Sequence, residues 1–340
     1  MHCNQLQRIL IIILFAVTIV SGCDSGRQKY SEAKDKMGTF IEITACVAPK
    51  DINSLKTIYL KAWEKIDYVE KNMGLNNPEG YVYKINNAQG KEVEIDSEMF
   101  YVLNKAKEYA KITSGAFDIT VYPLIELWKE SSKKNIMPSS LEISEAKSLT
   151  GEDKLIFPRI NTVQLSSPNV KIDLGGIAAG YAVDEVVHVL KENGYNDFFL
   201  DDGGDIFVSG KNCEGGMWKV GVRNPLNKEE VMDRLYLSDM AIATSGHYEK
   251  YYEIQGKRFS HIFDPRTGYP QENIISSTAI APTAIETDIL STSLCILSEE
   301  ESLRLIESLG DGYACVLVNK NEDNSARIIE SDNYKKFKNN

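Results

Sequence analysis

The sequence is poor in histidine and cysteine, and it lacks the spacings at which these residues bind zinc. Its four histidines, His2, His188, His247 and His261, are far apart, and none of its six cysteines forms a Cys-x-x-Cys pair. Zinc sites need several such residues at short and regular spacings. The sequence therefore contains no zinc site of the familiar kinds.

The cysteines are also too scattered for a disulfide framework. Small secreted domains held together by disulfides carry their cysteines at much higher density. Cys46 and Cys315 each lie in an apolar run, ITACV and ACVLV respectively. Because free cysteine behaves as a small apolar side chain, we expect both residues to be buried free thiols.

Positive charge is in deficit, with 38 Lys and Arg against 49 Asp and Glu, which gives a net charge of −11. This balance excludes a general nucleic-acid binder, because such proteins need a basic surface.

Hydrophobic residues make up 43% of the chain, enough to form a core and to argue against disorder. No long linker rich in Pro or Ser follows residue 36, so we predict one compact unit.

No hydrophobic run is long enough for a typical membrane-spanning helix. The longest, residues 9–20, is apolar except for Thr18 and suits the core of a signal peptide. It is followed by Ser21, Gly22 and Cys23, an ending that resembles the lipobox of bacterial lipoproteins. We predict a signal at residues 1–22, acylation of Cys23 and a polar tether at residues 23–36. An ordinary signal or an uncleaved anchor is the alternative.

Apolar periodicity and turn residues predict a mixture of helices and strands, hence an α+β or α/β fold. The predicted helices cover residues 55–73, 99–110, a short segment after Pro138, 180–193, 287–297 and 302–309. The predicted strands cover residues 37–47, 170–174, 198–200, 206–209, 218–222, 234–237, 275–281 and 314–319.

Three glycine-rich segments, at residues 114–120, 173–184 and 201–210, are candidates for ligand contact. Glycine lets the backbone approach a ligand closely, and a helix predicted to begin near Ala178 would favour anions at its start. None of the segments matches a Walker A or dinucleotide-binding motif. Taken separately, each segment is better explained as a tight turn between packed elements.

Two further candidates carry side-chain chemistry. Asp288 and Thr292 are four residues apart on a predicted helix and so share a face, where they could bind a hard cation or simply be solvated. His261 precedes the turn signal DPRTG at residues 264–268. It could act as a base or hydrogen-bond the loop.

Taken together, these segments resemble the ApbE family of flavin transferases. The motifs occur in the family's order across about residues 37–320. They are MGT (37–39), GAFDITVYPLIELW (115–128), DLGGIAAGYAVD (173–184), DDGGDIFVSG (201–210), ATSGHY (243–248), SHIFDPRTG (260–268) and TDILST (287–292). The resemblance implies an α+β fold of two related lobes over residues 37–335. It also implies FAD as substrate, Mg²⁺ as cofactor, and transfer of FMN from FAD to a threonine of a partner protein with release of AMP.

The resemblance also implies roles for individual residues. His261 matches the histidine that helps to deprotonate the acceptor threonine. The positions that match contacts to FAD are Met37, Asn76, Ala116, Phe117, Asp118, Asp173, Ala179 and Ile262. The positions that match the metal site are Gly176, through its carbonyl, Asp288, Ser291 and Thr292.

Two positions depart from the family pattern. Ala179 stands where a charged residue is usual, and Asn76 stands where transferring members often carry an aromatic residue. A polar residue at the second position accompanies hydrolysis of FAD to FMN and AMP. An FAD pyrophosphatase is therefore the alternative enzyme, and a flavin-binding lipoprotein without turnover is the alternative of another class. The implied partner is a respiratory flavoprotein at the extracytoplasmic face of a bacterial membrane, with no role for nucleic acid.

Overall fold

A computed structural model describes residues 26–227, 229–246, 250–272, 274–320 and 326–338. The predicted signal peptide and Cys23 lie outside these described residues, as do His247 and Tyr248 of the ATSGHY motif. Among the residues described, no helix is both long and apolar enough to span a membrane.

The described part of the chain contains eight α-helices. They are α1 (Ile52–Met73), α2 (Tyr81–Asn87), α3 (Ser97–Ile112), α4 (Tyr122–Lys134), α5 (Ser140–Ser148), α6 (Ala178–Glu192), α7 (Ala284–Leu294) and α8 (Glu299–Leu309). The six predicted helices are confirmed. Ser139 caps α5 in a reciprocal capping box with Glu142, as its position after Pro138 predicts.

Seventeen strands are described. They are β1 (Gln28–Lys36), β2 (Thr39–Val47), β3 (Val93–Glu94), β4 (Leu155–Arg159), β5 (Thr162–Leu165), β6 (Phe198–Asp202), β7 (Asp205–Ser209), β8 (Trp218–Arg223), β9 (Val231–Leu237), β10 (Met240–Gly246), β11 (Tyr251–Ile254), β12 (Lys257–Ser260), β13 (Phe263–Asp264), β14 (Tyr269–Pro270), β15 (Ile274–Ala281), β16 (Ala314–Lys320) and β17 (Ala326–Glu330). Eight form one antiparallel sheet in the order β1-β2-β6-β7-β10-β15-β16-β17.

The large sheet is covered on both faces because its strands alternate between two apolar cores. Phe207 faces the core that contains residues of α1, α3, α6 and α7, whereas the next residue, Val208, faces a smaller core beneath β8 and β9. In β15, Ala279 likewise faces the larger core and Ile280 faces the smaller one. Successive strand residues point to opposite faces, so this alternation fixes the register of the strands.

The polar segment after Cys23 is not an unstructured tether along its whole length. From Gln28 onward it forms β1, which pairs with β2 through nine residues, from Gln28 opposite Val47 to Lys36 opposite Thr39. The prediction of a tether was wrong for residues 28–36. Backbone hydrogen bonds hold this segment as an edge strand, and they do not depend on apolar side chains. Charged side chains are compatible with such an edge and even protect it from pairing with other chains.

The prediction for Cys46 was also wrong in part. Cys46 is buried, but it forms a disulfide with Cys213, in the loop between β7 and β8. A sequence separation of 167 residues gives no local signal for such a bond. Cys315 is confirmed as a buried free thiol, and Cys295 is buried without forming a disulfide.

Candidate functional site

Helix α7 carries the predicted metal residues, and α6 fixes its position. The two carboxylate oxygens of Asp184 accept the N–H groups of Ala284 and Ile285 at 2.7 and 2.9 Å. These N–H groups lie in the first turn of α7 and have no partner within the helix, so a carboxylate there stabilises the helix start. Asp184 therefore anchors the helix that presents Asp288 and Thr292.

The two helices approach most closely at Gly180. A Cβ atom on this residue would lie 2.3 Å from the Ala284 carbonyl oxygen and 2.7 Å from the Ile285 Cα. Only glycine fits without a shift of backbone. This close approach lets the N–H of Gly180 donate to Asp288 Oδ2 at 3.1 Å.

Asp288 is buried, and its environment is unusual for a carboxylate. Burial raises the pKa of Asp288, the hydrogen bond from Gly180 lowers it, and the negative charge of Asp202 raises it further. A buried carboxylate whose neighbouring charge is also negative favours a cation as its partner.

Gly176 lies against Thr292, as the predicted metal site requires. A Cβ on Gly176 would come 3.1 Å from Thr292 Oγ1 and 3.4 Å from Phe117 Cε2. The structure thus brings three predicted site residues together from three separate segments: the loop at residues 114–118, the turn before α6, and α7.

The predicted metal residue Ser291 is buried, and its hydroxyl is engaged within the protein. It pairs with Ser245 Oγ of β10 at 2.9 Å, and it lies 3.1 Å from the Asp288 carbonyl oxygen, to which it can donate. Ser245 Oγ is also 3.5 Å from Thr292 Oγ1. In this arrangement Ser291 positions the metal-site turn of α7, and its role as a direct ligand stays a prediction.

Asp173 lies in an irregular segment before α6. Residues 170–174 do not form the predicted strand. Instead, the Asp173 N–H donates to the Ile119 carbonyl at 2.7 Å, and its Oδ1 accepts the N–H of Gly175 at 2.6 Å. Burial raises the pKa of Asp173, while the Gly175 hydrogen bond and the charge of Lys250 lower it. The helix that follows begins at Ala178, as predicted.

The loop at residues 114–118 is folded by unusual backbone angles, with φ of 52° at Ser114 and 79° at Gly115. Ala116 and Phe117 are buried behind it. Asp118 Oδ1 accepts the N–H and the hydroxyl of Thr120 at 2.8 and 2.7 Å. Asp118 therefore shapes the loop, and direct contact of its carboxylate with FAD stays a prediction.

His261 and Ile262 connect the hairpin of β11 and β12 to the site. His261 Nδ1 is 2.9 Å from the carbonyl oxygen of Lys250, the residue whose charge acts on Asp173. Ile262 is buried in a small cluster with Cys295, the residue that follows α7. The turn at residues 264–268 is confirmed by the Gly268 N–H, which donates to the Asp264 carbonyl at 2.8 Å.

Three further predicted residues lie in turns or at the start of a helix. Met37 occupies the turn between β1 and β2, where its N–H donates to Glu70 Oε1 at 2.9 Å. Ala179 is half-buried in the first turn of α6. Asn76 is exposed in the turn after α1, so its role stays a prediction.

The donors of the site fit Mg²⁺ better than a transition metal. Within the described ranges, no three His, Cys, Asp or Glu residues cluster as a metal site. The donors brought together are oxygen atoms: the Asp288 carboxylate, the Thr292 hydroxyl and the backbone of Gly176. Mg²⁺ prefers such ligands and is usually completed by water and substrate phosphates.

Comparison with known proteins identifies the family of this chain. A model of the ApbE family matches residues 37–317. The chain belongs to the ApbE family. A Haemophilus influenzae protein named FAD:protein FMN transferase is 33% identical over 266 residues, which cover 76% of this chain and 72% of the relative. The Escherichia coli K12 protein of the same name is 29% identical, with 96% of each chain covered.

Solved ApbE structures share the fold. The ApbE protein from Thermotoga maritima has a TM-score of 0.82 and 32% identity, covering 92% of this chain and all of its own. The flavin transferase ApbE from Vibrio cholerae has a TM-score of 0.81 and 26% identity, with 92% and 99% covered. The α+β fold expected from the sequence is therefore confirmed.

Three residues near the candidate site were not predicted from the sequence: Asp184 and Ser245, which hydrogen-bond α7, and Asp202, whose charge acts on Asp288. Each lies inside a motif that was recognised, so the signal was present. Their roles were hidden because Asp184 acts on backbone groups about a hundred residues away, and Ser245 acts on Ser291 from a neighbouring strand.

Proposed function

We propose that this protein transfers the FMN part of FAD to a threonine hydroxyl of an acceptor flavoprotein, with Mg²⁺ as cofactor. The observation that carries the proposal is the approach of the turn before α6 to α7, within a chain of the ApbE family. Gly180 donates to Asp288, and Gly176 lies against Thr292 and the buried Phe117. Relatives named FAD:protein FMN transferase support the reaction.

The reaction forms a bond between the threonine oxygen and the phosphorus of the FMN half, and breaks the diphosphate bond so that AMP leaves. Displacement at a diphosphate requires alignment and charge neutralisation more than covalent catalysis. When bound, Mg²⁺ would neutralise phosphate charge and stabilise the leaving AMP. Asp288, Thr292 and the Gly176 carbonyl would hold the ion.

His261 is suited to take the proton of the threonine. A carbonyl oxygen only accepts hydrogen bonds, so the contact with Lys250 requires Nδ1 to carry the proton. In the neutral ring, the lone pair that a base needs is then on Nε2. The Lys250 carbonyl therefore selects the tautomer that general-base catalysis requires.

We further propose that Cys23 is acylated and that the domain works at the extracytoplasmic membrane surface. The Cys46–Cys213 disulfide supports an oxidising compartment. Only four residues separate Cys23 from β1, so the fold would begin within roughly 18 Å of a lipid anchor, at about 3.5 Å per residue. Such a short link favours acceptors that are themselves membrane proteins.

The test is incubation of the full chain with FAD, Mg²⁺ and a candidate acceptor, a membrane flavoprotein subunit produced without its flavin. We expect an FMN adduct on an acceptor threonine by mass spectrometry, with one AMP released per adduct. The same acceptor with that threonine changed to valine is the control. Rapid release of FMN and AMP with no adduct would contradict transfer.

Hydrolysis of FAD is the second candidate, and Asn76 is the observation that favours it. It is an exposed polar residue where transferring members of the family often carry an aromatic one. If water is the normal acceptor, Asn76→Tyr should slow acceptor-independent AMP release and leave FAD binding intact. FAD that binds but stays unchanged under every condition would instead support a flavin-binding lipoprotein.

A further inference from the structure

Asp202, at the end of β6, is a buried carboxylate without a partner. It is 4% exposed, and neither of its carboxylate oxygens has a hydrogen-bond partner among the described residues. Buried polar atoms are almost always hydrogen-bonded, and a buried charge is paired or bound to a metal. Protonation would not satisfy Asp202, because its O–H would still lack an acceptor.

The strand directs Asp202 toward the helices that form the candidate metal site. Along β6, Phe198, Leu200 and Asp202 share one face of the sheet. Phe198 and Leu200 belong to the core that contains Ile289 of α7, next to Asp288. By contrast, Phe199 packs against the core on the opposite face, the side shared by Asp201.

The two buried carboxylates are close enough to interact. The charge of Asp202 raises the pKa of Asp288, and burial raises the pKa of both groups. Asp201 is the other charge that acts on Asp202, and it is also negative. No positive side chain is among the groups that act on the pKa of Asp202 or Asp288. A bound cation would supply the compensating charge.

We propose that Asp202 is a second carboxylate of the cation site, so that a divalent cation is held between Asp202 and Asp288. This inference rests on the metal dependence proposed above and adds a ligand on β6. Mg²⁺ commonly binds one or two carboxylates together with substrate phosphates. Two carboxylates match the charge of the ion, so the site should bind a divalent cation before FAD arrives.

The first test measures Mn²⁺ binding to the full chain in the absence of FAD, by electron paramagnetic resonance of the free ion. Loss of a ligand or of its supporting carboxylate typically weakens metal affinity by about 10- to 100-fold. We expect Asp202→Asn to raise the Kd for Mn²⁺ by at least about tenfold. Asp201→Asn is the matched control on the opposite face. It keeps an oxygen to accept the Gly204 N–H, a bond of 2.8 Å here. Because Asp201 acts on Asp202 only through its charge, Asp201→Asn should change the Kd for Mn²⁺ far less than Asp202→Asn does.

Mn²⁺ binding by the Asp288→Asn variant tests the cation site of the proposed function independently of Asp202. If Asp288→Asn weakens Mn²⁺ binding but Asp202→Asn does not, the cation site stands and the role of Asp202 is overturned. Should neither variant affect Mn²⁺ affinity, the cation site itself is wrong.

A second measurement keeps the inference testable if the Asp202 variants fail to fold. Fe²⁺ bound in place of Mg²⁺, with ascorbate and peroxide, cleaves the backbone of the parent chain near its ligands. Mapping by mass spectrometry should locate cuts near both residue 202 and residue 288, abolished by excess Mg²⁺. Cuts near residue 288 alone would overturn the role of Asp202.

Discussion

At His261, one hydrogen bond to a backbone carbonyl determines which ring nitrogen can act as a base. The carbonyl belongs to Lys250, whose charge also acts on Asp173. A general base typically contributes about 10²- to 10⁴-fold to a rate. His261→Ala should therefore slow FMN attachment by at least about 10²-fold while FAD binding is retained, as followed by adduct formation and flavin fluorescence.

His188→Ala is the matched control, because His188 is an exposed residue of α6 that pairs with Glu192. It should transfer FMN at the parental rate. Equal transfer rates for the parent and His261→Ala would exclude His261 as the base.

Asp288 is the only predicted metal ligand that carries a carboxylate, and this carboxylate is buried. Asp288→Ala should abolish turnover and make any residual FAD binding insensitive to a chelator, because the carboxylate that holds Mg²⁺ is removed. Assays of AMP release with and without chelator measure both effects. Asp311→Ala, at an exposed carboxylate paired with Lys336, is the control. Activity of Asp288→Ala within about threefold of the parent, roughly 0.7 kcal/mol of barrier, would rule out the ligand role.

At the scale of elements, the contact between α6 and α7 depends on Gly180. Because a Cβ there would meet backbone atoms of Ala284 and Ile285, Gly180→Ala must push the two helices apart. Overpacking of this kind costs about 1–3 kcal/mol of unfolding free energy. Since the shift also moves Asp288 from the Gly180 N–H, we expect weaker Mn²⁺ binding together with a lower unfolding midpoint.

Gly216→Ala is the control for that experiment. Its Cβ would make ordinary contacts at 3.6 Å or more with Asn212 in an exposed loop. Its stability should stay within about 0.5 kcal/mol of the parent. Parental stability and Mn²⁺ affinity in Gly180→Ala would show that the two helices tolerate a larger separation.

For the whole molecule, the Cys46–Cys213 disulfide joins β2 to the loop after β7. Such a bond restricts the unfolded chain, and its removal typically costs about 2–5 kcal/mol. The double variant Cys46→Ala/Cys213→Ala should lose stability in this range in denaturant unfolding. A reducing agent should destabilise the parent but not the double variant. Identical unfolding of the oxidised and reduced parent would argue against the bond.

The membrane attachment of the whole molecule is testable at Cys23. Cys23→Ala should leave an unprocessed precursor or release a soluble protein, because the residue that would carry the lipid is lost. Cell fractionation and intact-protein mass spectrometry distinguish these forms. Cys315→Ala, which changes a free cysteine within the fold, should remain processed and attached. A Cys23 variant that is processed and membrane-bound like the parent would contradict acylation.

The sequence by itself determined the features that depend on neighbouring residues. The capping box at Ser139, the start of α6 at Ala178 and the turn at residues 264–268 follow from local hydrogen bonding and backbone preference. Apolar periodicity located six of the eight described helices, since one buried face repeats at a fixed interval, but only seven of the seventeen described strands. The ordered motifs were enough to recognise the ApbE family.

Only the tertiary structure decided the features that depend on distant residues. The pairing of β1 with β2 rests on backbone hydrogen bonds, which any polar sequence can form, and the Cys46–Cys213 bond spans 167 residues. Asp202 is an ordinary acidic residue in the sequence. It becomes a candidate ligand only because the sheet buries it without a hydrogen-bond partner, where its charge acts on Asp288.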